Sequence, residues 1–91
     1  MTIKIVLADD HVLMRQGLSQ VLNADPGIDV IGECGDGVEL IEQVIKLRPD
    51  VVVMDISMPK MSGLVAIDKL LSQRPDCKIL VLSMHNELEY I

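Results

Sequence analysis

The sequence predicts an α/β domain with a parallel sheet at its centre, and three observations predict it. Four short apolar runs recur along the chain, at Ile3–Ala8, Ile28–Cys34, Val51–Met54 and Lys78–Leu82. Between them lie stretches whose apolar residues return with helical rather than strand period. The connections are short, so the order is β-α-β-α-β-α-β, which implies a parallel sheet with helices on its faces and right-handed crossovers. Residues 1–91 make one domain at most.

The first run, Ile3 to Ala8, is apolar apart from Lys4 and ends on Asp9-Asp10-His11. From Val12 to Asn23 the period changes: Met14, Leu18, Val21 and Leu22 form an amphipathic stripe, with Asp10 placed to cap the helix. Gly17 weakens that helix by ~1 kcal/mol against Ala. Asp25-Pro26-Gly27 is a turn, and Ile28 to Cys34 is the second strand. Asp36 and Glu39 have capping-box spacing, and Leu40, Ile41, Val44, Ile45 and Leu47 line one face of the helix that follows. Arg48-Pro49-Asp50 stops it, since Pro cannot continue a helix and a cation suits the last turn.

Val51 to Met54 carries no polar side chain and reads as a strand buried on both faces, delivering Asp55 to its C-terminal end. Met61-Ser62-Gly63 starts a third helix with Leu64, Ile67, Leu70 and Leu71 on its apolar side. Arg74-Pro75-Asp76 ends it with the same chemistry that ends the second. Lys78 to Leu82 is the fourth strand, closing on Ser83, and Glu87 to Ile91 begins a helical stretch.

Nearly half of the residues are apolar (49%), which excludes disorder, and with Tyr90 the one aromatic the core falls to Val, Ile, Leu and Met. The net charge of −6 argues against this segment gripping a phosphate backbone, which needs a clustered basic face. No apolar run reaches the roughly 18–20 residues of a membrane span, and the N-terminus has no signal-peptide layout. Cys34 and Cys77 lack metal-ligand spacing and read as structural thiols of a reducing cytosol. The expected location is cytoplasmic.

The informative polar residues gather at one edge of the sheet. Asp9 and Asp10 follow strand one, Asp55 follows strand three and Ser83 follows strand four. In an open α/β sheet that edge is where ligands bind. Converging carboxylates repel unless a cation intervenes, and hard oxygen ligands with positions left for water and phosphate suit Mg2+. No Ser–His or Cys–His pair and no Gly-rich phosphate loop is present. Asp55 is therefore the candidate nucleophile, able to accept a phosphoryl group as an acyl phosphate, with Ser83 within reach of a phosphoryl oxygen. A single Asp after a strand is more commonly a cap or turn residue, and a single His such as His11 a surface or helix-start residue. The acidic pair together with Asp55 is what points to chemistry.

Leu7-Ala8-Asp9-Asp10-His11, Pro49-Asp50-Val51-Val52-Val53-Met54-Asp55-Ile56-Ser57-Met58-Pro59, Met61-Ser62-Gly63 and Leu82-Ser83 together resemble the receiver domains of two-component response regulators. Arg15-Gln16-Gly17-Leu18, Gly32-Glu33 and Asp36-Gly37 resemble the NarL/LuxR branch. The resemblance spans the whole chain. It implies a flavodoxin-like fold and assigns Asp55 as phosphoacceptor from a phosphohistidine on a sensor histidine kinase. It further implies Mg2+ held by Asp10 directly, Asp9 through water, Asp55 and the Ser57 backbone carbonyl. Ser83 becomes the switch hydroxyl, and Met58-Pro59 with Gly63 shape the loop after the acceptor.

Receivers of this family continue through a fourth helix, a fifth strand and a fifth helix. On that comparison residues 1–91 are the N-terminal part of one receiver domain, with strand order 2-1-3-4, the fifth β/α unit missing and no DNA-binding output domain. A lysine on the fifth strand would be absent, which predicts weak Mg2+ binding and reduced phosphorylation. Strand 78–82 would be a bare apolar edge through which the chain self-associates. Two other readings compete: a phosphorylation-independent interaction module, and a Mg2+-dependent aspartyl-phosphate phosphohydrolase. The second lacks an acid two residues after Asp55, where Ser57 stands.

Overall fold

The computed structural model describes residues 2–55, 63–74, 76–82 and 88–90. Seven elements fall where the sequence predicts them: β1 (Ile3–Ala8), α1 (Val12–Asn23), β2 (Ile28–Cys34), α2 (Gly37–Leu47), β3 (Val51–Asp55), α3 (Gly63–Gln73) and β4 (Lys78–Leu82). An eighth, β5 (Leu88–Tyr90), was not expected. The sheet order is β2-β1-β3-β4-β5, with parallel pairing through the first four strands.

β5 corrects two expectations. Residues 88–90 are extended rather than helical, and they pair antiparallel with β4, Leu80 opposite Tyr90 and Leu82 opposite Leu88. Strand 78–82 is therefore not the bare edge anticipated for self-association; β5 satisfies its outward backbone groups, which an unpaired edge would leave exposed.

β3 is buried on both faces because it sits inside the sheet. Val52 and Met54 point into one core layer with Val6, Ala8, Leu40, Val44, Ile67, Leu70 and Ile79. Val53 points into the other with Ile5 and Leu7, against Leu18 and Leu22 of α1. Thus α2 and α3 cover one face and α1 the other. Each fully buried aliphatic side chain contributes about 1.5–3 kcal/mol relative to exposure, which makes the apolar run Val51–Met54 a strong anchor for the carboxylate that ends it. Asp50 fixes the opposite end of the strands: its carboxylate accepts from the Lys4 N–H at 2.9 Å and its carbonyl from the Lys78 N–H at 3.2 Å.

The helices deviate in instructive ways. In α1 only part of the expected stripe faces the sheet: Leu18 and Leu22 pack, while Met14 and Val21 are exposed. Asp10 is not its cap. His11 holds the N-cap position, with no side-chain cap hydrogen bond, and the acid is left to the sheet edge. The start of α2 follows the sequence, the Asp36 carboxylate accepting from the Glu39 N–H at 2.8 Å. Leu40 and Val44 are buried, but Ile45 is exposed. Arg48 ends α2 in the left-handed cap conformation (φ 53°, ψ 59°), and the ring of Pro49 disfavours a right-handed continuation there. The carbonyl of Val44 accepts the Arg48 N–H at 3.0 Å, closing the last turn.

β2 holds one further departure from regularity. Ile5 pairs with Val30 but Val6 pairs with Gly32, so Ile31 is an extra residue. Ile28 and Val30 face the α1 layer, and Ile31 faces the α2 layer. The bulge keeps Gly32 on the α2 side, where a Cβ would lie 2.5 Å from Gln43 Oε1. Glu33 is thereby turned to the α1 side, opposite Leu7.

Candidate functional site

The parallel sheet carries the C-terminal ends of β1 and β3 side by side, Ala8 opposite Met54. The next residues on each strand are Asp9 and Asp55. One ligand atom from each of Asp9, Asp10, His11 and Asp55 lies within 4.8 Å of the others. The three carboxylates singled out from the sequence therefore do converge. They differ in exposure: the side chain of Asp9 is 6% exposed, that of Asp55 13% and that of Asp10 34%.

His11, by its sequence a surface or helix-start residue, is also part of this cluster. Its main chain begins α1, while its Nδ1 stands 3.0 Å from Asp9 Oδ1, 3.1 Å from Asp10 Oδ1 and 3.9 Å from Asp55 Oδ2. Carboxylates only accept, so Nδ1 carries the proton and donates. Asp9 Oδ1 also accepts the His11 backbone N–H at 2.8 Å. The hydrogen bond to Asp9, the charge of Asp10 and the charge of Asp9 raise the His11 pKa above its ordinary 6.5. An imidazolium partly neutralises the carboxylates, which underlines how strongly this corner attracts positive charge. The donor set fits a hard divalent cation: carboxylate oxygens from two strands, close enough to share one ion, with one side open to solvent.

Two further residues bear on the corner. Arg15, on the second turn of α1, donates from Nη1 to the backbone carbonyl of Asp9 at 2.7 Å and from Nε to Glu33 Oε1 at 3.3 Å. Glu33 is held from the other side as well, its carbonyl accepting from Gln43 Nε2 at 2.9 Å. In the sequence these two residues served only as marks of resemblance. An Arg six residues after Asp9, on the helix that strand leads into, was the available signal. Ser57 and Ser83, the other two expected site residues, and the Met58-Pro59 loop lie outside the described residues.

Among the described residues no helix is long and apolar enough to cross a membrane. Both cysteines are free and buried.

Comparison with known proteins agrees with this arrangement. Residues 5–91 match the model of the response regulator receiver domain. The chain is 45% identical over 89 residues to the oxygen regulatory protein NreC of Staphylococcus carnosus, covering 97% of this chain and 41% of that protein. It is 43% identical to the transcriptional regulatory protein DegU of Brevibacillus brevis, covering 98% of this chain and 38% of that one. The chain thus spans about two-fifths of the length of these curated relatives. Among solved structures, it superposes on the receiver domain of a response regulator NarL from Mycobacterium tuberculosis with a TM-score of 0.87 at 31% identity, covering 94% of this chain and 69% of that one. For the response regulator domain of Thermotoga maritima CheB the TM-score is 0.90 at 32% identity, covering 96% and 64%.

Proposed function

Because the chain belongs to the response regulator receiver domain family, we propose that it is the phosphoacceptor module of a two-component system, taking a phosphoryl group from a sensor histidine kinase onto Asp55. The observation that carries the reading is the convergence of Asp9, Asp10 and Asp55 at the ends of adjacent strands. A carboxylate oxygen of Asp55 attacks phosphorus. The new P–O bond forms as the P–N bond to the donor imidazole breaks, and the imidazole, already protonated on its other ring nitrogen, leaves as the neutral ring. β3 fixes Asp55 at a partly dehydrated position, so the nucleophile is oriented and only partly solvated. Asp10 and Asp9, with Asp55 and the Ser57 carbonyl, would hold Mg2+. When bound, Mg2+ supplies positive charge against the phosphoryl oxygens. Ser83 donates its hydroxyl to the phosphoryl group once it is on Asp55.

The module acts on itself rather than turning over a substrate, and it works in the cytoplasm, where two buried free thiols stay reduced. It controls a DNA-binding output domain that these 91 residues do not include; their own charge of −6 is the wrong sign for a nucleic-acid partner. Self-association takes place by strand exchange, β5 of one copy pairing with the β4 edge, residues 78–82, of another.

The test is spectroscopic. Beryllofluoride with Mg2+ should shift backbone amide resonances around Asp9, Asp10 and Asp55 in an NMR spectrum, and Asp55→Asn should abolish the shifts. Shifts that persist in the Asn variant would place the acceptor elsewhere; their absence in the wild-type chain would favour a phosphorylation-independent module.

A further inference from the structure

The metal-binding reading leaves unexplained how the acidic loop after β1 is held in place. Asp9 is the last residue with a sheet hydrogen bond on its side, its N–H donating to the Cys34 carbonyl at 3.0 Å. Beyond it the chain leaves the sheet, and the Asp10 carboxylate is the most exposed of the three. The Asp9–Asp10 peptide plane decides where that carboxylate points, and the carbonyl in that plane accepts from Arg15 Nη1 at 2.7 Å. Arg15 is itself largely buried, 17% exposed, and its Nε is engaged by Glu33. Gly35 gives the guanidinium its room, since a Cβ there would lie 3.3 Å from Nη1.

We infer that Arg15 is the positioning residue of the metal site. It clamps the Asp9 carbonyl to Glu33 on β2 and so fixes the Asp9–Asp10 peptide in the orientation that presents both carboxylates to one ion. The inference rests on the proposed phosphoacceptor reading and adds a residue to it. The clamp has a direction: Gln43 of α2 fixes the Glu33 backbone, Glu33 fixes the guanidinium, and the guanidinium fixes Asp9. A planar guanidinium suits this because its donors diverge in one plane, one toward a carboxylate and another toward a carbonyl. An isolated Arg–Glu ion pair at the protein surface contributes little to stability, and Glu33 keeps 35% of its side chain exposed. What distinguishes the clamp from such a pair is its effect on ion affinity.

The experiment titrates Mn2+ into the 91-residue chain, reading the free ion by electron paramagnetic resonance, beside thermal unfolding without metal. Arg15→Met keeps the apolar stem and removes both donors. It is expected to weaken Mn2+ binding by about 10-fold, the usual effect of losing a group that orients a metal ligand, with the unfolding temperature nearly unchanged. Glu33→Ala leaves Arg15 present but unanchored and should weaken binding by a smaller factor, while the double variant binds no worse than Arg15→Met alone, since both act through one clamp. Arg15→Lys, which retains a donor for the Asp9 carbonyl, should recover part of the loss. A folded Arg15→Met chain with wild-type affinity overturns the inference and leaves the phosphoacceptor reading intact. Should Arg15→Met fail to fold, wild-type affinity in Glu33→Ala overturns it equally. A wild-type chain that takes up no Mn2+ overturns both.

Discussion

Cys34 shows how far burial alone can set a residue's chemistry. Its thiol is 1% exposed and donates to the Leu7 carbonyl at 3.6 Å. Burial, with Glu39 nearby, pushes its pKa up to about 12 from an ordinary 9.0. The native chain therefore keeps the proton where the unfolded chain loses it. This contribution to stability is complete below pH 9.0, and falls as pH rises from there toward about 12. In urea titrations the stability advantage of the wild type over Cys34→Ala should narrow above pH 9.0. In the native protein at pH 8, iodoacetamide should leave Cys34 unlabelled and reach it only after denaturation, as peptide mass mapping would show. Rapid labelling of Cys34 in the folded chain would contradict the burial. Asp9, Asp10 and Asp55 were legible at this scale because acids at the ends of apolar strands stand out in any sequence. His11, Arg15 and Glu33 were not, because their roles depend on side-chain directions that spacing does not carry.

At the scale of elements, the end of α2 shows how one residue can bear a local cost for a sharp stop. Arg48 adopts φ 53°, a conformation that L side chains enter at a cost of roughly 1–2 kcal/mol. Pro49, which is itself buried, disfavours the right-handed alternative at Arg48. Arg48→Gly removes the steric cost and adds about 0.5–1 kcal/mol of backbone entropy to the unfolded chain, leaving a net gain of up to about 1.5 kcal/mol. Differential scanning calorimetry should register an unfolding temperature a few degrees higher, and a lower one would show that the arginine side chain contributes more than its backbone costs. The Arg-Pro-Asp signal fixed the position of this stop from the sequence. Seven elements were readable in the same way, from apolar period and Gly or Pro punctuation. β5 was not, because three residues carry no period of their own and are extended through their pairing with β4. The outward turn of Met14 and Val21 is illegible in the sequence for a related reason: a wide apolar stripe does not say which of its members the sheet will cover.

For the molecule as a whole, the two ends of the sheet are unequal. On one side β2 is a seven-residue edge locked by α1 and α2; on the other, β5 contributes three residues and three paired positions. A strand that short adds little cooperative stability to the β4 edge it covers. Its departure would expose the backbone of residues 78–82, which is the route proposed for exchange between copies. Size-exclusion chromatography with light scattering should accordingly show a dimer whose share grows with protein concentration, and a mass that stays monomeric at the highest soluble concentration would rule the exchange out. The exposed apolar residues of α1, Leu13 at 86% and Val21 at 70%, offer a second surface on which copies can meet. Deleting residues 88–91 distinguishes the two, because it should change the dimer population only where β4 is the contact.

The extra residue at Ile31 sets a parity for everything after it. Every position of β2 beyond the bulge faces the opposite side of the sheet from where simple alternation would put it, and Glu33 is the position at which this matters. A strand with Ile31 deleted would pair without a break, Val30 and Gly32 opposite Ile5 and Val6 as they already stand, and would leave Glu33 opposite Leu7 on the Arg15 side. The geometry of the acidic corner thus depends partly on one surplus residue being absorbed in a bulge, on a strand that contributes no side chain to the carboxylate cluster. Were the same seven residues to pair in unbroken alternation from Ile28, Glu33 would face α2 instead, so its facing is a two-valued property of the bulge, while substitutions in the same strand act on the corner only by degrees.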